Sequence, residues 1–447
     1  MEAYLQAIQE GGIIGWEDGL EACAEALPLL RELSVTPQDP EWHGEGDVAV
    51  HTAMVLERLA ELLRTEGWRL SAERWFVLWM ATFLHDIGKP LTTREQEIDG
   101  RLRIVAPHHA QRGASYLVYR LLEMGIPVRL VLDIVALVGL HHEPKHFVKR
   151  DVSFGKQWML AEACDLQALY LLEKADMLGR ICPDQEEQIE IMELFRMLCE
   201  ESGGWQGAGL FGQRGLEGWY AKQAGWGANT LREMLRTTFH SESDTQHERL
   251  WRESLWDLAA GAYTRPEEAV SRAYRLVREG RATLTLLVGP SGAGKSTWIT
   301  KHAGSSEVIS LDQIREDVTG DAGDQHENTR VLHQARDRLK EALRKGRDVI
   351  WDATSLRRDS RSMLIQIARD YGVHTTQVVF CAPMNEIFRR NRQREKSIPT
   401  SALKRQFATL DWPDIHDAHR TIFVDAEGFT AYDSRDIWTP SVRGGRT

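Results

Sequence analysis

The sequence predicts two domains, an all-α N-terminal one and a C-terminal α/β one built on a parallel sheet. Three observations carry this. Up to about Met197, apolar residues recur every three or four positions, the period of helices that bury one face. After about Pro266 short apolar runs alternate with helical patterns, the signature of βαβ units. Between one such run and the helix after it stands Gly289, then four residues, then Gly294-Lys295-Ser296. At 447 residues the chain is also longer than one core supports.

In the first half the helical period is clearest at Met54–Leu63, Trp75–Leu84, Tyr116–Met124 and Val128–Leu140, with Leu102–Val105 as the one strand-like piece. The apolar run holding Trp79 and Leu84 falls short of the ~18 residues that span a bilayer and reads as a buried helix. Between Gly203 and Gly227 lie nine glycines and three tryptophans, Trp205, Trp219 and Trp226. Disordered linkers are poor in aromatics, so an ordered connector packing between domains is expected. The polar stretch from His240 to Glu248 is the better flexible candidate. Strands are expected at 284–288, 307–311, 347–351, 376–381 and 421–424. The resulting layout is a helical domain over 1–200, a connector over 201–265 and an α/β domain over 266–447.

A net charge of −11 argues against general coating of nucleic acid, though not against a local basic groove. Five scattered cysteines without a C-x-x-C pair suit reduced thiols in a cytoplasmic protein. No signal peptide or membrane span is expected.

The glycine-rich stretch matches G-x-x-x-x-G-K-[ST], in which backbone N–H groups and a helix N-terminus surround phosphate oxygens. ATP would be held by Gly289, Ser291, Gly292, Gly294, Lys295, Ser296 and Thr297, with Lys295 on the β- and γ-phosphates and the Ser296 hydroxyl on Mg²⁺. The strand at 307–311 runs into Asp312, placed to take a proton from an attacking hydroxyl; an N-cap role is the alternative. Arg315 shares its helix face. Asp352 ends another strand and suits a place near Mg²⁺. The segment Arg389–Arg405 holds seven basic residues and one acidic, a solvated helix face or an arginine lid over phosphates.

In the first half eight of the 16 histidines fall between His43 and His146, several inside apolar helical patterns where a lone imidazole is costly. Shared metal coordination explains their burial. His85-Asp86 closes an apolar helix; His51 precedes it, and His108-His109, His141-His142-Glu143 and Asp176 follow.

This order, H…HD…H…H…D, resembles the HD-domain metal-dependent phosphohydrolase superfamily over about residues 40–185. The wording Trp42-His-Gly-Glu-Gly-Asp-Val-Ala-Val-His51, then Leu84-His-Asp-Ile-Gly-Lys-Pro90, is closest to the HD domains attached to bacterial CCA-adding enzymes. The resemblance implies that His51, His85, Asp86 and Asp176 hold a primary divalent metal, Mn²⁺, Co²⁺ or Ni²⁺. It further implies that His109 and His141 help hold a second, bridged by Asp86, and that the cation activates water and offsets phosphate charge. Lys89 is either a phosphate contact or a solvated lysine. His43, His108 and His142 are left without a role. The roughly forty residues ahead of this domain are too few for a nucleotidyltransferase palm, so CCA addition is not expected.

The second half is similar to the phage-type 5′-hydroxyl polynucleotide kinases in GPSGAGKSTW, in Ser310-Leu-Asp312-x-x-Arg315, and in Arg390-Asn-Arg-Gln-Arg394 ahead of Ser397-Ile-Pro399. That resemblance implies Asp312 as general base, Arg315 on the phosphate 3′ to the reacting nucleotide, and Arg390 and Arg394 as lid arginines. No Asp-x-Asp-x-[TV] phosphatase motif is present. Together the halves resemble bacterial HD phosphohydrolase–polynucleotide kinase fusions. This implies an end-healing enzyme for RNA and DNA ends, able to process 2′,3′-cyclic, 2′- and 3′-phosphates, with a functional link to a ligase. The competing readings are a small-metabolite kinase joined to an HD nucleotide phosphohydrolase, and a regulatory nucleotide-binding module with an HD sensor.

Overall fold

The computed structural model describes residues 1–150, 152, 154–201, 205, 230–259, 261–262, 265–278, 282–321, 326–394 and 396–434. The chain divides into two compact units, one of residues 1–153 with 160–211, the other of 154–159 with 212–447.

Among its described residues the first unit is helical apart from one hairpin. Asp47 caps the helix Val48–Thr65, its Oδ1 accepting the amides of Ala49 and Val50 at 2.9 and 3.0 Å, the standard way to satisfy orphan N–H groups. Ser71 caps Ala72–Leu84 and Asp165 caps Leu166–Leu178 in the same manner. The apolar faces then choose partners: Val48–Thr65 packs on Leu166–Leu178, and Ala72–Leu84 packs on Val128–Leu140. Trp79 and Leu84 are buried, as the apolar run requires. Helix His109–Glu123 lies against Val128–Leu140.

The hairpin pairs β1 (Arg94–Ile98) with β2 (Arg101–Val105), antiparallel. The strand-like piece at Leu102–Val105 is its second strand. The first, REQEI, is exposed along nearly its whole length and so lacks the apolar alternation that marks a half-buried strand.

In the second unit β3 (Thr283–Val288), β4 (Glu307–Ser310), β5 (Val349–Asp352), β6 (His374–Phe380), β7 (Arg420–Val424) and β8 (Thr430–Asp433) form a sheet of order β4-β5-β3-β6-β7-β8. It is parallel throughout except for β8, which runs antiparallel at one edge. Leu284, Leu286, Ile309, Val349 and Trp351 bury one face of the sheet beneath Ile314, Leu339 and Leu364. The central β3 ends at the glycine-rich turn, so the ends of its neighbours β5 and β6 flank that turn, as expected at a switch point of strand order.

Two expectations change. The stretch from His240 to Glu248 is not a flexible tether: helix Asp244–Ala259 starts within it. Ser243 Oγ accepts Gln246 N at 3.2 Å, and the buried His247 Nε2 meets the Phe239 carbonyl at 2.8 Å. Strand β4 stops at Ser310, so Leu311 opens the helix Leu311–Thr319 and Asp312 lies in its first turn. Ser310, not Asp312, is the N-cap residue. Of the connector, Trp205 packs on Trp68 and Tyr170 with Arg196 over its ring; Trp219, Trp226 and the nine glycines from Gly203 to Gly227 lie outside the described residues.

Candidate metal centre and candidate phosphate groove

The helix pairings of the first unit bring His51, His85, Asp86, His109, His141 and Asp176 together. His51, one turn into its helix, turns Nε2 to Asp176 Oδ1 at 2.9 Å and to Asp86 Oδ2 at 3.6 Å. His85 stands at the C-terminal end of Ala72–Leu84, and His141 at that of Val128–Leu140. His109 opens its own helix after His108, which takes φ +57 and stays exposed. His51, His85, His141 and Asp176 are wholly buried, and Asp86 and His109 nearly so.

Three of the imidazoles are oriented by one device. Nδ1 of His85, His109 and His141 meets the carbonyl three residues back, Thr82, Ala106 and Val138, at 2.8, 2.7 and 2.8 Å. A carbonyl only accepts, so Nδ1 carries the proton and the Nε2 lone pairs turn inward. His141 Nε2 is buried without a hydrogen-bond partner, and His85 Nε2 faces Asp86 Oδ2 at 3.3 Å without hydrogen-bond geometry. Burial, helped by His109 and His85, holds the His141 imidazole down at about 3, in its neutral, ligating form. Imidazole nitrogens and carboxylate oxygens converging in a buried cluster fit a divalent cation.

The carboxylates are charged. Burial raises the Asp86 carboxyl, but Lys89 and the neighbouring imidazoles outweigh it and hold Asp86 well below the usual range. Lys89 Nζ lies 2.7 Å from Asp86 Oδ2 and donates to Gln38 Oε1 at 2.6 Å; it is buried, so it is not a solvated post-helix lysine. Asp176 is likewise held down, by Arg180 and His51 against burial, with Arg180 forking onto both its oxygens at 3.0 and 2.5 Å.

Two residues that the sequence did not single out act here. Glu45 Oε1 meets His43 Nδ1 in a hydrogen bond and stands against His51 Nδ1, both at 2.8 Å, and its Oε2 accepts Ile181 N at 2.8 Å. Those hydrogen bonds overcome burial and lower its carboxyl. Glu173 sits one turn before Asp176, fully buried, its carboxyl pushed up to about 8 by burial and by Asp176. Gly88, after His85-Asp86, packs so closely on helix His109–Glu123 that a Cβ would lie 2.1 Å from the His109 carbonyl oxygen.

In the second unit the glycine-rich turn borders an open groove of about 1800 Å³. Ser291, Gly292, Gly294, Lys295, Ser296, Thr297, Asp312, Arg315, Asp352, Arg390 and Arg394 all line it; Gly289 lies behind the turn, bonded through its amide to the Thr354 carbonyl at 3.0 Å. Lys295 Nζ donates to the carbonyls of Gly289 and Pro290, both at 2.8 Å. Burial lowers the Lys295 ammonium to about 8, and phosphate oxygens would restore its charge.

Asp312 is largely exposed, while Arg315 beneath it is buried and donates to Asp312 Oδ1 at 2.6 Å and to Asn328 Oδ1 at 3.3 Å. Asp352 lies beside Ser310 in the β4–β5 register, and burial raises its carboxyl. The basic segment forms the helices Met384–Gln393 and Thr400–Ala408. Arg390, tied to Glu386 at 2.6 Å and to the Ala426 carbonyl at 2.7 Å, lines the groove together with Arg394, Lys396 and Arg405. Gln406, which sequence reasoning missed, grips the turn: its Oε1 accepts Ser291 N at 2.8 Å and its Nε2 donates to Ser291 Oγ at 3.1 Å.

Residues 48–180 match the HD domain family, and residues 284–413 match an AAA domain family. The chain therefore carries a helical HD phosphohydrolase domain and a P-loop, kinase-like domain. A "Multifunctional CCA protein" of Pasteurella multocida (strain Pm70) is 32% identical over 108 residues, 24% of this chain and 20% of that protein. One of Thioalkalivibrio sulfidiphilus (strain HL-EbGR7) is 29% identical over 145 residues, 32% of this chain and 31% of that protein. The chain thus spans about a fifth to a third of the length of these curated relatives. A sugar kinase structure from Janibacter sp. HTCC2649 aligns with 35% of this chain and 90% of its own, at 20% identity and a TM-score of 0.26.

Proposed function

We propose that this is a cytoplasmic nucleic-acid end-healing enzyme, with a hydrolase domain over 1–200, a connector over 201–265 and a polynucleotide 5′-kinase domain over 266–447. The observation that carries the reading is the groove beside the glycine-rich turn. At about 1800 Å³ it exceeds the ~300–1,000 Å³ of an ordinary small-molecule site. Its cationic lining in an acidic protein suits a nucleotide donor together with a polyanionic acceptor. Trp298, stacked on His302 at 4.4 Å between ring centres, lines the same groove with Lys301 and Arg338, and an aromatic face beside cations suits a nucleobase.

In the kinase reaction Asp312 takes the proton of a 5′-hydroxyl, the freed oxygen attacks the γ-phosphorus of ATP, and ADP leaves. Lys295 and the amides of the turn hold the phosphates, and Ser296 and Asp352 are placed to hold Mg²⁺. Arg315 binds the acceptor's 3′-side phosphate, and Arg394 with Arg390 covers the donor.

In the hydrolase domain His51, His85, Asp86 and Asp176 hold a divalent cation such as Mn²⁺, Co²⁺ or Ni²⁺, with His109 and His141 toward a second. When bound, such a cation supplies an activated water and offsets charge on phosphate oxygens. Asp86 anchors Lys89, which is placed to meet a phosphate oxygen. The substrates are 2′,3′-cyclic phosphate and 2′- or 3′-phosphate ends of RNA, leaving ends fit for a ligase. The likeness to proteins named for CCA supports a nucleic-acid substrate class. No described helix is long and apolar enough to cross a membrane.

The test is an RNA strand with a 5′-OH and a 2′,3′-cyclic phosphate, incubated with γ-labelled ATP and Mg²⁺, Mn²⁺, Co²⁺ or Ni²⁺. Label should enter the 5′ end and the cyclic phosphate should open. Asp312→Ala should stop the first reaction and spare the second. Phosphorylation of small hydroxyl compounds with neither RNA end changed would overturn the proposal in favour of a metabolite kinase.

A further inference from the structure

We infer that Trp42 and one face of the β1–β2 hairpin form the surface on which a single-stranded nucleic acid lies as its phosphate end enters the hydrolase centre, with Trp42 the platform for a nucleobase. The inference rests on the proposed nucleic-acid substrate and adds a recognition surface to it.

Both legs of the hairpin spring from the centre. β1 begins shortly after Lys89, and β2 runs into Ala106, whose carbonyl meets His109 Nδ1 at 2.7 Å. The two strands, REQEI and RLRIV, are mixed in charge, but the pleat sorts them. The register sets Gln96 opposite Arg103 and Ile98 opposite Arg101; paired residues share a face, and successive side chains alternate. Arg94, Gln96, Arg101 and Arg103 therefore stand on one face, where Arg94 Nη2 donates to Gln96 Oε1 at 3.3 Å. Glu95 and Glu97 stand on the other. Arg94 and Arg101 are exposed, as phosphate contacts need to be.

Trp42 lies on the arginine face. Arg103 Cζ stands over its ring, 4.9 Å from the centre. That guanidinium is itself fixed, to Asp39 Oδ1 at 3.0 Å and to Glu41 Oε2 at 2.5 Å. Asp39 Oδ2 accepts the Ile104 amide at 3.2 Å, and the Asp39 carbonyl accepts the Trp42 amide at 3.1 Å. Backbone and ring of Trp42 are thus both anchored, yet the residue stays 39% exposed. A rigid aromatic ring kept in water gains from a stacked base and loses little entropy in taking one. The next residue, His43, packs edge-on against the His51 ring at 4.9 Å, so the platform borders the centre. Arg103, its charge met by two carboxylates, positions the indole. Arg94 and Arg101, the latter reaching Glu41 only at 4.0 Å, supply the attraction for phosphates. An acidic peptide would use the arginines alone; a strand with unpaired bases uses the ring as well.

The experiment compares, with the full chain and Mn²⁺, hydrolysis of the 2′,3′-cyclic phosphate on a short single-stranded RNA with that of bis(p-nitrophenyl) phosphate, which carries no nucleobase. Wild type should favour the RNA in kcat/KM. Trp42→Ala should raise KM for the RNA about 5- to 150-fold, the worth of one stacked base, and so close the gap, whereas Trp42→Phe keeps most of it. Arg94→Gln with Arg101→Gln should make the plot of log(1/KM) against log salt shallower by about 1.4. Glu97→Gln, on the opposite face, should match wild type. If thermal melts show Trp42→Ala misfolded, the exposed arginine pair carries the test. A folded Trp42→Ala chain that keeps the wild-type preference for RNA, or an arginine pair variant with the wild-type salt slope, overturns the inference and leaves the hydrolase reading standing. A wild-type chain that leaves the RNA end untouched overturns the nucleic-acid reading and the surface with it.

Discussion

Gly88→Ala tests the geometry of the hydrolase centre through one methyl group. Gly88 has φ −84 and ψ −12, values alanine adopts freely, so any cost must come from contact. An added Cβ would stand 2.1 Å from the His109 carbonyl oxygen and 2.7 Å from Gly113 N. A carbon–oxygen contact relaxes at about 3.3 Å, so a displacement of about 1.2 Å is needed. Both obstacles are backbone of a buried helix, and no side chain can swing away. Overpacking of this kind costs ~1–3 kcal/mol, and with backbone on both sides the upper end applies, ~3 kcal/mol. For a unit of about 200 residues, each kcal/mol is worth ~2–4 °C, so the hydrolase transition should fall by ~6–12 °C in scanning calorimetry. His109 rides on the displaced segment, and its Nε2 now lies 3.1 Å from Asp86 Oδ1, so Mn²⁺ affinity should fall with the melting temperature. The neighbouring Thr92→Ala removes only a marginal bond to the Gly88 carbonyl at 3.4 Å and should change stability by less than ~1 kcal/mol. A Gly88→Ala chain that melts within about one degree of wild type and binds Mn²⁺ equally well would refute the argument.

Glu45→Gln leaves the size of the side chain but removes the charge that holds His43 and His51. Mn²⁺ affinity should drop ~10- to 100-fold in titration calorimetry, while ATP binding in the other unit stays unchanged. The empty-site Lys295 ammonium titrates at about 8, below its usual range, so above that pH the free protein holds a neutral lysine. KM for ATP should then rise toward tenfold per pH unit, and should stay flat below it; a KM constant from pH 7 to 10 would contradict the assignment. Gln406→Ala frees Ser291 N and Oγ from two hydrogen bonds worth ~0.5–1.5 kcal/mol each. KM for ATP should rise about tenfold in steady-state kinetics with kcat little changed, and an equal fall in kcat would point instead to a role in the transition state.

What the sequence made legible depended on how each feature is encoded. The phosphate-binding turn is contiguous and made mainly of backbone, so its eight-residue spacing announced it. The strands around it are short apolar runs, found to within two or three residues at either end. Strand β8 escaped because Thr430–Asp433 is half-exposed and lies at the edge beyond a bulge. The helix starting at Asp244 escaped because its first turn is polar. Its signal was nonetheless present: Ser243 followed three residues later by Gln246 is a capping pattern, with Leu250 and Trp251 buried behind it.

The metal centre is encoded differently. Its ligands are spread from His51 to Asp176, and the sequence offers only their order. Residue type alone cannot separate ligand from support, because that distinction is made by which nitrogen is spent. His85, His109 and His141 each spend Nδ1 on the carbonyl three residues back, a local bond set by a helix end, and so present Nε2 inward. His51 sits inside a helix whose carbonyls are already committed to its own ladder, so its Nδ1 needs an acceptor from elsewhere. Glu45, ahead of the capping Asp47, supplies it. The loop fold that returns Glu45 to the helix it precedes is a tertiary fact, anchored by Ile181 N far along the chain. The same holds for Gln406, 115 residues from the Ser291 it grips. Sequence patterns thus reveal the groups that face the chemistry, whereas the groups that aim them follow from packing and had to be found in the structure.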